Sequence, residues 1–275
     1  MKFWKMHGLG NDYIVIDNTD DKLNVNPSVL AKELCRRRFS VGADGLILAC
    51  KSSKADVKMR IFNADGSEAE MCGNGIRCLA KFCYEKNIVK KSTFNVETLA
   101  GIKTVWLSIN ENNEVEQVRV NMGKPSFNRR DIPMLGDGDF INEWLNVNNE
   151  VYQTTCLSIG NPHCVIFVDD VSSITIEKIG PKLEKHEIFP KGTNVEFVQV
   201  INPNEIKVRV WERGVGETLA CGTGACASAI ASHILGKTNK KVKVKLLGGT
   251  LEILYDGAEV FMEGSATKVF VGELF

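Results

Sequence analysis

Two cysteines, Cys72 and Cys221, each lead a tetrapeptide of the form Cys-Gly-x-Gly: Cys72-Gly73-Asn74-Gly75 and Cys221-Gly222-Thr223-Gly224. A helix is expected to start immediately after each. In the first, Ile76, Leu79, Ala80 and Cys83 fall at i, i+3, i+4 and i+7, an apolar stripe. The second, Ala225-Cys226-Ala227-Ser228-Ala229-Ile230-Ala231, is small and apolar nearly all round, the composition of a buried helix. Backbone N–H groups at a helix start lack intrahelical partners and carry partial positive charge, which favours thiolate over thiol. The effect is about 0.3–1 kcal/mol, rising to about 2 where partly buried. At about 1.4 kcal/mol per unit, it would move a thiol from about 8.5 towards about 7, the range that suits a proton-abstracting base. The glycines serve separately: Gly73, Gly75, Gly222 and Gly224 leave amides uncovered, so a carboxylate can approach. Such amides would also stabilise the enolate-like charge that develops when a proton leaves the carbon next to that carboxylate. One thiolate could remove that proton while a second thiol delivers another to the opposite face.

The two tetrapeptides belong to a longer internal repeat. Gly10-Asn11-Asp12-Tyr13 before Ile14-Val15-Ile16 matches Gly160-Asn161-Pro162-His163 before Cys164-Val165-Ile166. Gly42-Ala43-Asp44 before Leu46-Ile47-Leu48 matches Gly192-Thr193-Asn194 before Val195-Glu196-Phe197-Val198. Asn11 lies 61 residues before Cys72 and Asn161 lies 60 before Cys221; Asp44 and Asn194 lie 28 and 27 before theirs. Three landmarks in register to within one residue indicate a duplication.

The expected fold is therefore α+β (mixed α/β), with two pseudo-symmetric domains, each a curved, mainly antiparallel sheet around a central helix. Strands are expected at 58–62, 94–99, 103–109 and 115–121 in the first half, and at 165–168, 195–200, 207–211, 242–246 and 251–255 in the second. Peripheral helices are expected at 27–38 and 175–184. The run Met122-Gly123-Lys124-Pro125 reads as a linker, giving domains 1–121 and 122–267, with the tail 268–275 able to return to the first.

Composition narrows the function classes. The chain has 275 residues, 34 Lys+Arg against 34 Asp+Glu, and 44% hydrophobic residues. Neither a nucleic-acid nor a membrane partner is signalled. With no signal-peptide pattern at the start and no long apolar run, a cytoplasmic location is expected, in which the nine cysteines are thiols. Cys78, Cys83 and Cys226 fall inside the expected helices, as core packing. The short basic clusters, Arg36-Arg37-Arg38 among them, are expected as solvated helix ends or turns. No C-x-x-C pair occurs, which argues against a zinc knuckle or a dithiol redox protein. Gly73-Asn74-Gly75 lacks the third glycine of a dinucleotide loop, and Gly236-Lys237-Thr238 follows a helix where a phosphate loop would open one.

Four blocks resemble the diaminopimelate epimerase family: 6–12 (Met6 to Asp12), 62–78 (from Phe62-Asn63-Ala64-Asp65 through Met71-Cys72-Gly73-Asn74), Gly160-Asn161-Pro162-His163-Cys164, and Trp211-Glu212-Arg213-Gly214 running into Ala220-Cys221-Gly222-Thr223. They span the chain. The resemblance implies interconversion of LL- and meso-diaminopimelate, on the way to lysine and cell-wall peptide, with no pyridoxal phosphate and no metal. It implies a two-domain fold with the site in the cleft, and a homodimer. By position, Cys72 and Cys221 become base and acid. Asn11, Asn63, Asn161, Asn194, Glu212 and Arg213 become substrate contacts, and the amides of Gly73-Asn74 and Gly222-Thr223 take the carboxylate at the reacting carbon. His163 and Glu212 are implied close to the thiols, tuning their ionisation. Proline-type racemases and the isomerases of phenazine biosynthesis are sister activities. Arg213, a fork for a distal carboxylate, and the asparagine set favour a substrate with a second amino-acid head. One position departs from some members: they carry glutamine where this chain has Gly45, so no side chain can reach substrate from there.

Overall fold

The computed structural model describes residues 1–148 and 150–274. The first elements are β1 (Lys2–Gly8), β2 (Asn11–Asn18), α1 (Pro27–Leu34), β3 (Gly45–Cys50), β4 (Val57–Asn63), β5 (Glu68–Ala69) and α2 (Gly73–Glu85). Then follow β6 (Thr93–Thr98), β7 (Gly101–Ile109), β8 (Val115–Gly123), β9 (Glu143–Val147), β10 (Glu150–Ser158), β11 (Pro162–Phe167) and α3 (Ile176–Glu184). The chain closes with β12 (Asn194–Asn202), β13 (Glu205–Glu212), β14 (Gly216–Thr218), α4 (Gly222–Ile234), β15 (Lys241–Leu246), β16 (Gly249–Tyr255), β17 (Val260–Gly264) and β18 (Thr267–Glu273). Two compact units result: Met1–Asn121 with Glu263–Phe275, and Met122–Met262. Phe275, the last residue of the tail considered above, lies outside the described residues. Residues 263–267 group with the first unit, not the second, because they lead into β18, which pairs antiparallel with β1.

Each unit repeats one topology. In the first, β1 and β2 form an antiparallel hairpin, β2 and β3 run parallel, β3 and β4 antiparallel, and β4 pairs with both β5 and, in parallel, β6. In the second, β10 and β11 are antiparallel, β11 and β12 parallel, β12 and β13 antiparallel, and β13 pairs with β14 and, in parallel, β15. The sheets are mainly antiparallel, with two parallel joins in each unit. Each parallel join is a place where the chain must cross over. The turns before Asn11 and Asn161 are alike: Gly10 and Gly160 sit at φ 88° and 87°, a left-handed backbone that glycine adopts without strain.

The ladders correct the repeat alignment by one residue. Tyr13 pairs with Gly45, and His163 with Asn194, so Gly45, not Asp44, is the counterpart of Asn194. Both then stand 27 residues before their cysteine, and the single-residue difference falls in the connection between β2 and β3. By the same register Ile47 corresponds to Glu196, and Asn63 to Glu212.

Helices α2 and α4 are the cores of their units. The α2 stripe of Ile76, Leu79, Ala80 and Cys83 is fully buried as expected, but Arg77, Cys78 and Phe82 on the other faces are buried too. This helix touches β1, β2, β3, β4 and β7. Helix α4 touches β10 to β13, β15 and β16, and its small side chains are what so enclosed a position admits. Its two buried hydroxyls bond back one turn, Ser228 to Gly224 O at 2.8 Å and Ser232 to Ser228 O at 2.7 Å. Each avoids the roughly 1–3 kcal/mol cost of an unpaired buried polar group.

Candidate active site

In the first unit Cys72 is the residue before α2, in extended conformation (φ −139°, ψ 126°), and two side chains reach its sulphur. Tyr13 Oη lies 2.9 Å from its Sγ, and Asn11 Oδ1 lies 3.8 Å from it. Tyr13 also donates to Asn11 Oδ1. Asn74 Nδ2 donates to the same oxygen at 3.2 Å. The far end of Asn11 is fixed by donation from Nδ2 to Asp44 Oδ2 at 2.8 Å. Arg37, exposed in the turn that follows α1 as expected, also joins Asp44 and Asp12 at 2.8 and 2.6 Å. Burial raises Asp12, but bonds from Arg37 and from Lys5, 2.6 Å away, hold it below its ordinary value.

Arg77 fixes the first turn of α2. Its guanidinium is buried and donates to Gly73 O at 3.1 Å, Asn74 Oδ1 at 3.0 Å and Ser265 O at 3.2 Å. Asn63 lies apart from this cluster. It ends β4, donates to Ser67 Oγ at 2.9 Å and is exposed.

In the second unit Cys221 precedes α4, and its Sγ accepts from Gly224 N at 3.4 Å. Thr223 Oγ1 is 3.5 Å from Sγ and accepts from Asn161 Nδ2 at 3.2 Å. Asn161 Oδ1 faces His163 Nε2 at 3.0 Å, and His163 Nδ1 faces Glu196 Oε1 at 2.7 Å. A continuous chain thus runs from Cys221 through Thr223, Asn161 and His163 to Glu196. Glu212 accepts from Thr218 Oγ1 at 2.5 Å. Asn194 is buried, donating to Pro162 O at 3.0 Å and accepting from Arg213 N at 2.9 Å. The Arg213 side chain donates to Lys191 O at 3.1 Å.

The helix-start argument expects a lowered thiol at Cys221, and the structure reverses it. Burial pushes this thiol well above its ordinary value, and the carboxylates of Glu212 and Glu196 push the same way. The bonds from Thr223 and the Gly224 amide oppose them and lose. Desolvation penalises a buried anion by more than one helix start returns. The other internal cysteines behave as packing: burial takes Cys78 to about 12 and Cys35 to about 11.

Two residues that touch these clusters were not singled out from the sequence. Tyr13 was read only as part of a strand, although a phenol directly after the Gly-Asn turn of a repeat that carries histidine there was a usable signal. Glu196 lies in the apolar run Val195-Glu196-Phe197-Val198, where a lone carboxylate among core residues was the signal.

Comparison with known proteins fits this geometry. The family model described as diaminopimelate epimerase matches residues 3–128 and 155–269. A diaminopimelate epimerase of Methanococcus maripaludis is 50% identical over 277 residues, covering 100% of this chain and 99% of its own. That of Moorella thermoacetica is 50% identical over 276 residues, covering 99% of each. Among solved structures, a probable proline racemase from Agrobacterium radiobacter superposes with a TM-score of 0.73, covering 100% of this chain and 92% of its own. At 16% identity it shows the fold alone, which is the mixed α+β fold expected above.

Proposed function

The chain belongs to the diaminopimelate epimerase family, and from that premise we infer that it interconverts LL- and meso-diaminopimelate, on the route to lysine and peptidoglycan precursors. The observation that carries this is 50% identity sustained over the whole chain. It is joined by two cysteines at matching helix starts, in units of one topology.

The proposed chemistry uses those two sulphurs as a base and an acid. In the proposed direction Cys221 is the proton donor, in keeping with its burial beside two carboxylates, and Cys72 is the base. The thiolate takes the α-proton, forming an S–H bond. The C–H electron pair moves into the adjoining carboxylate as an enediolate. The pair then returns to carbon as the other thiol delivers its proton to the opposite face, becoming a thiolate itself. Turnover in the reverse direction exchanges the roles.

In the same proposal the amides of Gly73-Asn74 and Gly222-Thr223 hold the reacting carboxylate, where helix-start N–H groups stabilise the enediolate charge. Asn11, Asn63, Asn161, Asn194, Glu212 and Arg213 contact the substrate. His163 and Glu212 tune Cys221. The chain acts as a cytoplasmic homodimer and needs no pyridoxal phosphate or metal. Among the described residues no helix is long and apolar enough to cross a membrane.

The decisive experiment incubates the purified chain with LL-diaminopimelate in deuterium oxide. One deuterium at the α-carbon, appearing with meso product, is expected. Cys72→Ala and Cys221→Ala should each abolish it while keeping the circular-dichroism spectrum. Turnover of proline but not diaminopimelate would overturn the substrate, and near-normal turnover by either variant would overturn the two-thiol chemistry.

A further inference from the structure

The Tyr13 side chain is 4% exposed, and its hydroxyl has two neighbours but one proton. It donates to Asn11 Oδ1, and it stands 2.9 Å from Cys72 Sγ. Which neighbour receives the proton follows from the state of the sulphur. A protonated Cys72 donates its S–H to Oη, and the hydroxyl then donates to Asn11. A Cys72 thiolate has nothing to donate and accepts only, so the hydroxyl turns to the sulphur as a charge-assisted bond. Asn11 Oδ1 is not orphaned by that turn, because Asn74 Nδ2 continues to donate to it.

The room for this phenol comes from a glycine. Gly45 lies opposite Tyr13 in the β2–β3 ladder. A Cβ there would come 3.2 and 3.3 Å from Tyr13 Cε1 and Cδ1, and 2.7 Å from Phe62 O. The position whose side chain is missing is thus the one against which the Tyr13 ring lies. Its counterpart in the second unit keeps a side chain, Asn194, opposite His163. The two departures, a phenol on β2 and a bare position on β3, explain each other.

We propose that Tyr13, seated against Gly45, is a further catalytic residue: its hydroxyl donates to the Cys72 sulphur in the thiolate state and swings to Asn11 when that sulphur takes up a proton. The proton never leaves the oxygen; only its direction changes. The titratable groups facing Tyr13 within the unit are Cys72, Cys78 on α2, and Asp44 ahead of β3, itself bonded to Arg37. Burial, then the charge of Cys72, push the phenol's own ionisation well above its ordinary value, so it stays a neutral donor.

This inference rests on Cys72 being the base, and its test separates the two. The full chain is alkylated with iodoacetamide across a pH series, and the Cys72 peptide is quantified by mass spectrometry, a measurement that needs no turnover. Tyr13→Phe should move the Cys72 alkylation midpoint up by about one pH unit, with about tenfold slower labelling below it, since a bond to a charged group has been lost. A fluorotyrosine with a more acidic hydroxyl, placed at position 13, should move the midpoint down, a reversal that a merely structural role would not produce. The low-pH limb of kcat/KM with diaminopimelate should follow the same order. A midpoint unmoved by either substitution overturns the proposal; moved midpoints without any epimerase activity in the parent chain would overturn the function and leave the Tyr13 contact standing.

Discussion

His163 Nδ1 lies 2.7 Å from Glu196 Oε1, and neither side chain has any exposure. Asn161 donates its amide to Thr223 Oγ1 at 3.2 Å and turns its carbonyl to His163 Nε2 at 3.0 Å. Burial raises Glu196, and His163 opposes that rise.

This arrangement ranks two substitutions. Glu212 and Glu196 both raise the Cys221 thiol, Glu212 more strongly. Removing either charge should let the Cys221 thiolate form at lower pH. Peptide-resolved alkylation should show the Cys221 midpoint falling in Glu212→Gln, and falling less in Glu196→Gln. Unchanged midpoints in both would mean that neither carboxylate acts on the sulphur.

The glycines one turn into α2 and α4 face different neighbours. A Cβ on Gly224 would stand 2.8 Å from Glu196 Oε1 and 3.3 Å from Cys221 Sγ. One on Gly75 would meet the methyl ends of Ile61 and Ile47 at 3.0 and 3.2 Å, which can give. Gly224→Ala should lower kcat/KM by about tenfold or more, the size of one displaced charge-assisted bond. Gly75→Ala should stay within about 1 kcal/mol of the parent stability, its helix gain offsetting the crowding. Steady-state rates and urea melts of the two variants, side by side, would check the contrast.

Arg77 makes a third case. Replacing its buried guanidinium by methionine leaves Gly73 O, Asn74 Oδ1 and Ser265 O each short of a donor. The expected loss is on the order of 3 kcal/mol, read by denaturant midpoint. Activity should fall as well, because Asn74 would lose its anchor beside Cys72. A variant as stable and active as the parent would show that these bonds hold nothing in place.

Alkali should weaken the fold through its thiols. A thiol that titrates higher in the folded chain leaves that chain holding more protons than the unfolded one, so stability declines as pH rises. The loss begins near the unfolded thiol value of about 8.5 and amounts to about 1.4 kcal/mol per pH unit for each such group. It continues to about 11 for Cys35 and about 12 for Cys78. Denaturation at stepped pH should show the decline, and Cys35→Ser with Cys78→Ala should make it shallower, the other raised thiols, Cys221 among them, keeping part of it.

Much of the fold was legible in the chain because the duplication wrote it twice. The helix starts after Cys72 and Cys221 and the central strands of both halves lie where hydrophobic patterning puts them. The strands β1, β3, β5, β9, β10, β14, β17 and β18 were not singled out. Trp4 and Lys5 of β1 are both buried, so that strand lacks the alternation a one-sided sheet would show. Pairing to β18 joins residues 260 or more apart, which no local pattern records. The α2 stripe understated burial because Arg77 is drawn inward by three backbone and side-chain acceptors. The Cys221 ionisation was misread because proximity to a helix start is visible in sequence, while desolvation depends on what closes over the sulphur.

The pairing of β1 with β18 also sets an order of assembly. Synthesis makes β1 about 260 residues before its partner strand emerges. The unit built from Met122–Met262 is contiguous and can close as it is made, while its N-terminal companion waits with Trp4 and its hairpin edge uncovered. Nascent chains of this protein should therefore stay exposed to chaperones and to aggregation until β18 has emerged.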